Sequence, residues 1–521
     1  MRSSFIAWIV LQVAQSSLLA DEPFRFFEPV QPPRKMQIVA HLGMHQLAPE
    51  NSPAALLACS SDYIEWAQVP IRLTRDGKHV ILSDETVDRI TSGHGKVSEL
   101  TLAELKKLDT GSAYSERFKD TPIPTLAEVL KLSKGKLNLV LQCERVDSKL
   151  LVKEILGAQM QNQVLVQAEP DVLKKISQVA DQKLAKMLSF NPDQDKLENW
   201  ISEFQPDAAL VEADRLTNAL CKTLQTRGIK LFVQATGSPD SFEVWNKLIH
   251  FPIDAIVTDN PVGVRFAEVR NRIPNFPVKI SYHRGACRYA PENTLASIQM
   301  AAALGADYIE VDIRPTSDGK YMLLHDSTLN RTTNGKGPIR KSSFDEVRAL
   351  TAGAWFSKAY ADQKVPTLSE GLTAMGKQSH GYLDSKDITP EDLLAAMQKH
   401  DLMERSVVYQ SAQFLEKLKK LHPKVRALPP LDKVEYFDKV AAISPYGFDT
   451  EWKILSKELI EKAHNTGIKI FSDSLAPLHE NVEEYLKAMN WGIDVIQTNY
   501  PLRVLRAIEL FTPSAKSTNS N

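Results

Sequence analysis

The chain has 521 residues, enough for two or more domains that each bury a core of their own. Its 63 Lys plus Arg offset 64 Asp plus Glu, so no whole-chain field points to nucleic acid or to an anionic surface as a partner. Four cysteines, Cys59, Cys143, Cys221 and Cys287, are too few for a disulfide-built scaffold and lack zinc spacing; they read as small buried residues.

In chain order, Met1-Arg2 precedes an apolar stretch from Phe5 to Val13, followed by Ser16-Ser17-Leu18-Leu19-Ala20. This predicts an export signal over 1–20 and a periplasmic or extracellular protein. The stretch is too short to cross a bilayer and no later run is long and apolar enough, so no stable membrane span is expected.

The chain then repeats itself. His41-Leu42-Gly43 with Ala48-Pro49-Glu50-Asn51 parallels His283-Arg284-Gly285 with Ala290-Pro291-Glu292-Asn293. Ile71-Arg72-Leu73-Thr74-Arg75-Asp76-Gly77-Lys78 parallels Ile313-Arg314-Pro315-Thr316-Ser317-Asp318-Gly319-Lys320, and Ile253 to Pro261 parallels Ile493 to Pro501. A period of about 240 residues with order kept throughout predicts two like domains. They cover 36–265 and 277–510, joined by a polar linker at 266–276 and followed by a disordered tail at 511–521.

In the second half, strands are expected at 277–282, 307–313, 320–324, 380–386, 405–410, 424–428, 440–444, 467–471 and 493–497. Helical periodicity covers 293–303, 343–349, 390–400, 412–420, 453–464 and 477–489. Thr389-Pro390-Glu391 reads as a helix start, and Gly305, Gly467 and Gly492 stand where helices stop. Repeated strand–helix units of this size predict a parallel sheet, and about eight of them an α/β fold of two tandem TIM-type (β/α)8 barrels.

In such a barrel, chemistry sits at the C-terminal ends of strands. His283, Glu310, Asp312 and His325 are expected there. Glu310 and Asp312 are two apart on a strand and share a face, as do Asp384 and Lys386 one unit later. Three carboxylates, Glu310, Asp312 and Asp384, suit a hard divalent cation, Mg²⁺ or Ca²⁺. Arg284 and Lys386 supply positive charge for a phosphate, and His283 and His325 suit paired proton transfers at phosphorus.

With those motifs in place, residues 277–510 resemble the glycerophosphodiester phosphodiesterase family through H-R-G, P-E-N-T, E-x-D and H-D. The resemblance implies a (β/α)8 barrel that hydrolyses glycerophosphodiesters to glycerol 3-phosphate and an alcohol. It implies a catalytic pair at His283 and His325, a phosphate contact at Arg284, and metal ligation by Glu310 and Asp312. Asp384 occupies a third acidic position that is usually Glu, and Lys386 keeps the basic position beyond it. Glu292 and Asn293 match the residues that organise the site. By the same resemblance, Trp355, in an insertion over 327–365, and Phe471, on a late strand, are candidate substrate contacts. The implied partner is a small-molecule or lipid-headgroup phosphodiester. A lysophospholipid or polymeric glycerol phosphate, with a cyclic product if a substrate hydroxyl attacks, is one alternative. An exported binding or scaffold protein is the other.

The first copy resembles the same family but loses its reagents. Leu42 replaces the arginine, Gln68 and Pro70 stand at the acidic pair, and Ser83 replaces the second histidine. Around Asn138–Gln142, Val140 is expected at the third acidic position and Gln142 at the basic one. This half is expected to be catalytically dead, as a scaffold or as a binding module.

Overall fold

A computed structural model describes residues 24–511 except 181–182, 194, 238–239 and 477. The expected export signal and the tail beyond Phe511 lie outside the described residues. Two parallel barrels stand in tandem. In the first, eight parallel strands run from Gln37–His41 through Trp66–Leu73, Asn138–Cys143, Val164–Ala168, Ala185–Ser189, Ala208–Glu212 and Lys230–Gln234 to Ala255–Thr258. The last pairs with the first and closes the ring. A short strand, His79–Ile81, lies antiparallel on the second.

The second barrel repeats this order from Lys279–Tyr282 to Val495–Thr498. Its fifth position is split into Ala427–Leu428 and Pro430–Leu431, which pair with opposite neighbours. Prolines at 429 and 430 remove the amide donors that an unbroken strand would use there. The strand expected at 440–444 is a correction: Phe437–Ala441 is helical and the strand lies at Gly447–Glu451. That strand carries Asp449 and Glu451 on its inner face and lacks an apolar run. Helices Leu368–Ala374 and Pro501–Leu510 stand beside those anticipated.

The expected linker is also corrected. Helix Pro261–Arg272 runs through most of 266–276, so only a short stretch after Arg272 joins the barrels. This helix packs on Pro501–Leu510, its counterpart, and Phe266 meets Tyr282 with ring centres 6.1 Å apart. Buried charges cross the junction. Arg265, 1% exposed, donates from Nη2 to both Glu65 oxygens at 2.9 Å. Arg34 links Glu65 at 2.7 Å to Glu509 at 2.5 Å, and Arg272 and Arg506 also hold Glu509. Below the first barrel's inner layer, Phe26 meets Trp66 edge-on at 5.1 Å and closes the N-terminal end.

The four cysteines are free; Cys59, Cys143 and Cys221 are buried and Cys287 is half-buried. Among the described residues, no helix is long and apolar enough to cross a membrane.

Candidate active site

The site sits at the C-terminal ends of the second barrel's strands. Strand Tyr308–Pro315 turns Ile309, Val311 and Ile313 into the layer between sheet and helices, and its alternate residues inward. Its register sets Asp312 beside Asp384 of His380–Asp384. Ligand atoms of Glu310, Asp312 and Asp384 all lie within 4.8 Å of one another, the one such acidic trio among the described residues.

The loop after Lys279–Tyr282 carries His283, Arg284 and Gly285. Arg284 and Gly285 have φ of 53° and 75°. A side chain at Gly285 would press to 2.8 Å from the Ser297 carbonyl carbon, so only glycine lets the loop lie against the next helix. That helix, Leu295–Ala303, starts at Thr294 with a reciprocal cap from Ser297. The cap fixes Asn293 over the acids. Asn293 donates from Nδ2 to Asp312 Oδ2 at 2.8 Å, and its Oδ1 accepts the Asp312 backbone N–H at 3.2 Å.

The electrostatics divide the trio. Burial and the charges of Asp312 and Asp384 push the Glu310 carboxyl well up. Burial also opposes ionisation of Asp312, but Lys386 and Arg284 outweigh it and hold this carboxyl low. Burial and Asp312 raise Asp384, even though Lys386 Nζ lies 2.5 Å from it. Lys386 also sits 3.1 Å from Asp312. Burial and mutual repulsion raise Glu310 and Asp384, a strain that a bound cation would relieve, and all the donor atoms are oxygens. This set fits a hard divalent cation.

Two imidazoles flank the acids. His283 Nδ1 lies 2.8 Å from Asn499 Oδ1, which only accepts, so Nδ1 carries the proton and Nε2 the lone pair. Burial, then Arg284, lowers the His283 pKa to about 4, so the ring is neutral near pH 7. His325 Nδ1 lies 2.8 Å from Asp326 Oδ1. Hydrogen bonds from Arg331, opposed by burial, hold Asp326 well below the usual range. The Asp326 carboxylate on Nδ1 fixes the ring of His325 and leaves its Nε2 as the atom free to meet a substrate.

Glu292 ties the parts together, meeting Arg284 at 2.9 Å and Arg331 at 2.7 Å. Arg284 Nε is buried without a hydrogen-bond partner, a donor left over beside the acids. The structure thus brings His283, Arg284, Glu292, Asn293, Glu310, Asp312, His325, Asp384 and Lys386 together.

Of the two aromatic candidates, Phe471 lies apart from these residues. Phe471, 1% exposed, packs in the barrel interior against Tyr308 and Tyr382, beneath the site. Trp355 belongs to the domain junction: its indole N–H bonds to Ala352 O, and its own carbonyl accepts from Ser115 of the first barrel. Neighbouring Phe356 lies under Arg117 of the first barrel at 4.5 Å. Both were legible as apolar residues near the right strands, but sequence could not show which way the rings turn.

Three residues escaped the sequence reading. Asn499 orients His283. Arg314 holds the His325 carbonyl at 2.8 Å and Asp387 at 2.6 Å. Arg288, two residues before the A-P-E-N motif, pairs with Asp62 of the first barrel at 2.8 Å. The repeat carried a signal for Asn499, because Asp259 holds that place in the first copy and meets His41 Nδ1 at 2.7 Å.

The first mouth is disarmed, with one correction. Strand register sets Gln142 opposite Pro70, as Asp384 stands opposite Asp312. Gln142 therefore occupies the third acidic position and Glu144 the lysine position, while Val140 packs in the inner core. A slip of two residues keeps every side chain on its face, so pattern alone does not detect it.

Comparison with known proteins finds one family in both halves. The profile of the glycerophosphoryl diester phosphodiesterase family matches residues 41–262 and 283–503. The chain belongs to the glycerophosphoryl diester phosphodiesterase family. Among its relatives, a glycerophosphodiester phosphodiesterase of Bacillus subtilis is 32% identical over 245 residues, 42% of this chain and 82% of the relative. One from Caldanaerobacter subterraneus is 29% identical over 238 residues, 43% of this chain and 96% of the relative. The crystal structure of a glycerophosphodiester phosphodiesterase from Agrobacterium tumefaciens is 28% identical with a TM-score of 0.41, covering 44% of this chain and 99% of that one. Each of these family members spans about one of the two barrels.

Proposed function

We propose that the C-terminal barrel hydrolyses glycerophosphodiesters to glycerol 3-phosphate and an alcohol, and that the N-terminal barrel does not catalyse. The acidic trio carries the reading: three carboxylates within 4.8 Å, flanked by two histidines, an arginine and a lysine, occur in the second mouth. The first has Gln68, Pro70 and Gln142 in their place.

Glu310, Asp312 and Asp384 would hold a divalent ion, Mg²⁺ or Ca²⁺. Such an ion neutralises charge on the phosphate and activates an oxygen nucleophile. Arg284 and Lys386 bind the phosphate oxygens. Neutral His283 takes the nucleophile's proton at Nε2. His325, oriented by Asp326, gives a proton to the leaving alkoxide, a departure that is slow without it. Glu292 and Asn293 hold Arg284 and Asp312 in place.

The N-terminal barrel supports this loop as a scaffold. Asp62, wholly buried, anchors Arg288 just beyond the His283–Gly285 turn. The composition of residues 1–20 supports action outside the cytoplasm, which fractionation of cells expressing the full chain would test. The function is tested with purified protein, a panel of glycerophosphodiesters and added Mg²⁺, Ca²⁺ or Mn²⁺, with product analysis. Release of glycerol 3-phosphate that EDTA abolishes is expected; no hydrolysis with any of these ions refutes the assignment.

A further inference from the structure

The upper inward layer of the N-terminal barrel carries amides at four positions where the other barrel has ionisable groups. Gln68, Gln142, Gln167 and Gln234 each follow a packed interior residue, Trp66, Val140, Leu165 or Phe232, by two positions on a strand. They therefore lie on the inner face, one layer toward the mouth. Charges around this layer are matched: Asp259 meets His41 and His45, Arg89 meets Glu50 and Asp84, and Arg72 meets Glu144. Glu212, beside Gln234 on the neighbouring strand, is a single exposed carboxylate. The matched set leaves neither a spare cation for a phosphate nor a carboxylate cluster for a divalent ion.

Two buried amide oxygens here have no hydrogen-bond partner. They are Oε1 of Gln68, 0% exposed, and Oδ1 of Asn51, 2% exposed. The two barrels explain the second by contrast. Asn293 Oδ1 accepts the backbone N–H of Asp312, whereas the matching Pro70 has no N–H to give. Asn51 keeps only its donor contact, from Nδ2 to Ser83 Oγ at 2.8 Å. Gln68 donates from Nε2 to Gln167 Oε1 at 2.7 Å, which leaves its oxygen over. Buried polar groups without partners are rare because each forfeits its hydration. The depth is no obstacle to a ligand: Glu310 and Asp312, at 2% and 1%, are buried alike in the other mouth.

We propose that this mouth binds an uncharged polyhydroxylated ligand, a glycerol or sugar moiety, with Gln68 and Asn51 accepting from its hydroxyls and Gln142 and Gln167 completing the contact. A hydroxyl both donates and accepts, so it satisfies an amide in either orientation. The site stands whether or not the other barrel hydrolyses diesters.

The test titrates the full chain, in EDTA, with glycerol, methyl glucoside and glycerol 3-phosphate, followed by ligand-observed NMR. Saturable binding of glycerol or of the glucoside is expected, and which of them binds identifies the source. Gln68→Leu should weaken it by roughly tenfold, the equivalent of one hydrogen bond. Gln142→Leu, at a partly exposed position, should do the same and keeps the test decisive if the first variant fails to fold. Glu310→Gln, in the other mouth, should leave it unchanged. Absence of saturable binding by both polyols overturns the proposal. So does binding weakened by Glu310→Gln but by neither glutamine change, or glycerol 3-phosphate binding that depends on Gln142 and exceeds glycerol's.

Discussion

Replacing Asn499 by Asp tests whether His283 works as a neutral base. Asn499 Oδ1 takes the Nδ1 proton without adding charge, and burial holds the His283 pKa at about 4. The first barrel shows that the fold accepts a carboxylate here: Asp259 lies 2.7 Å from His41 Nδ1. A carboxylate at this range favours imidazolium and raises its pKa by about one to three pH units. The base is active only when neutral, so activity is lost as pH falls through that value. With a variant pKa near 6, only about a tenth of the sites would be neutral at pH 5, against about nine tenths in the native protein. The acid limb of kcat/KM, measured at saturating metal from pH 4 to 8, should move upward and activity at pH 5 should fall roughly tenfold. A variant limb that superimposes on the native one refutes the role of His283 as base.

Other outcomes follow from the same geometry. His325→Ala should lower kcat by about 10²-fold or more while His41→Ala leaves it unchanged; equal loss in steady-state assays would refute the division of labour between barrels. Arg265→Met removes two charged hydrogen bonds from Glu65, which keeps Arg34, and should cost about 1.5–3 kcal/mol in denaturant unfolding. Burial raises the Glu509 pKa, but hydrogen bonds from Arg34 outweigh it and hold the carboxyl at about 2. Its folded value is depressed, so its contribution is full above about 4.5 and is lost as pH falls through about 2, on the order of 3 kcal/mol in total. Thermal unfolding of Glu509→Gln should show a shallower loss of stability across that window. Asp62→Ala should release Arg288 and lower kcat together with Tm, and a change in Tm alone would mean that Asp62 only joins the barrels.

Much of the active site was legible because its residues cluster in the chain. His283, Arg284, Glu292 and Asn293 come from one loop, and Glu310, Asp312 and His325 follow within two strands. Their roles rest on residue type and on the two-residue period of a strand, both visible without coordinates. Asn499 was obscure because it lies just beyond the last strand, far along the chain, and meets His283 only when the ring closes. Phe471 was misplaced for a related reason. An aromatic residue in sequence shows its bulk, but packing decides whether it faces a ligand, an interior or a neighbouring domain. Strand Gly447–Glu451 escaped notice because its inner face carries carboxylates in place of the apolar alternation that marks a half-buried strand.

The sequence by itself determined the duplication, the barrel class and the contrast between an armed and a disarmed copy, since each follows from residue identity at repeated local spacing. Tertiary structure alone decided how Gln142 and Glu144 align with Asp384 and Lys386. It also decided that the presumed linker is a helix, and that Asp62 of one barrel anchors Arg288 of the other. Register, burial and interdomain charge pairing depend on residues far apart in the chain meeting in space, and local spacing does not encode those meetings.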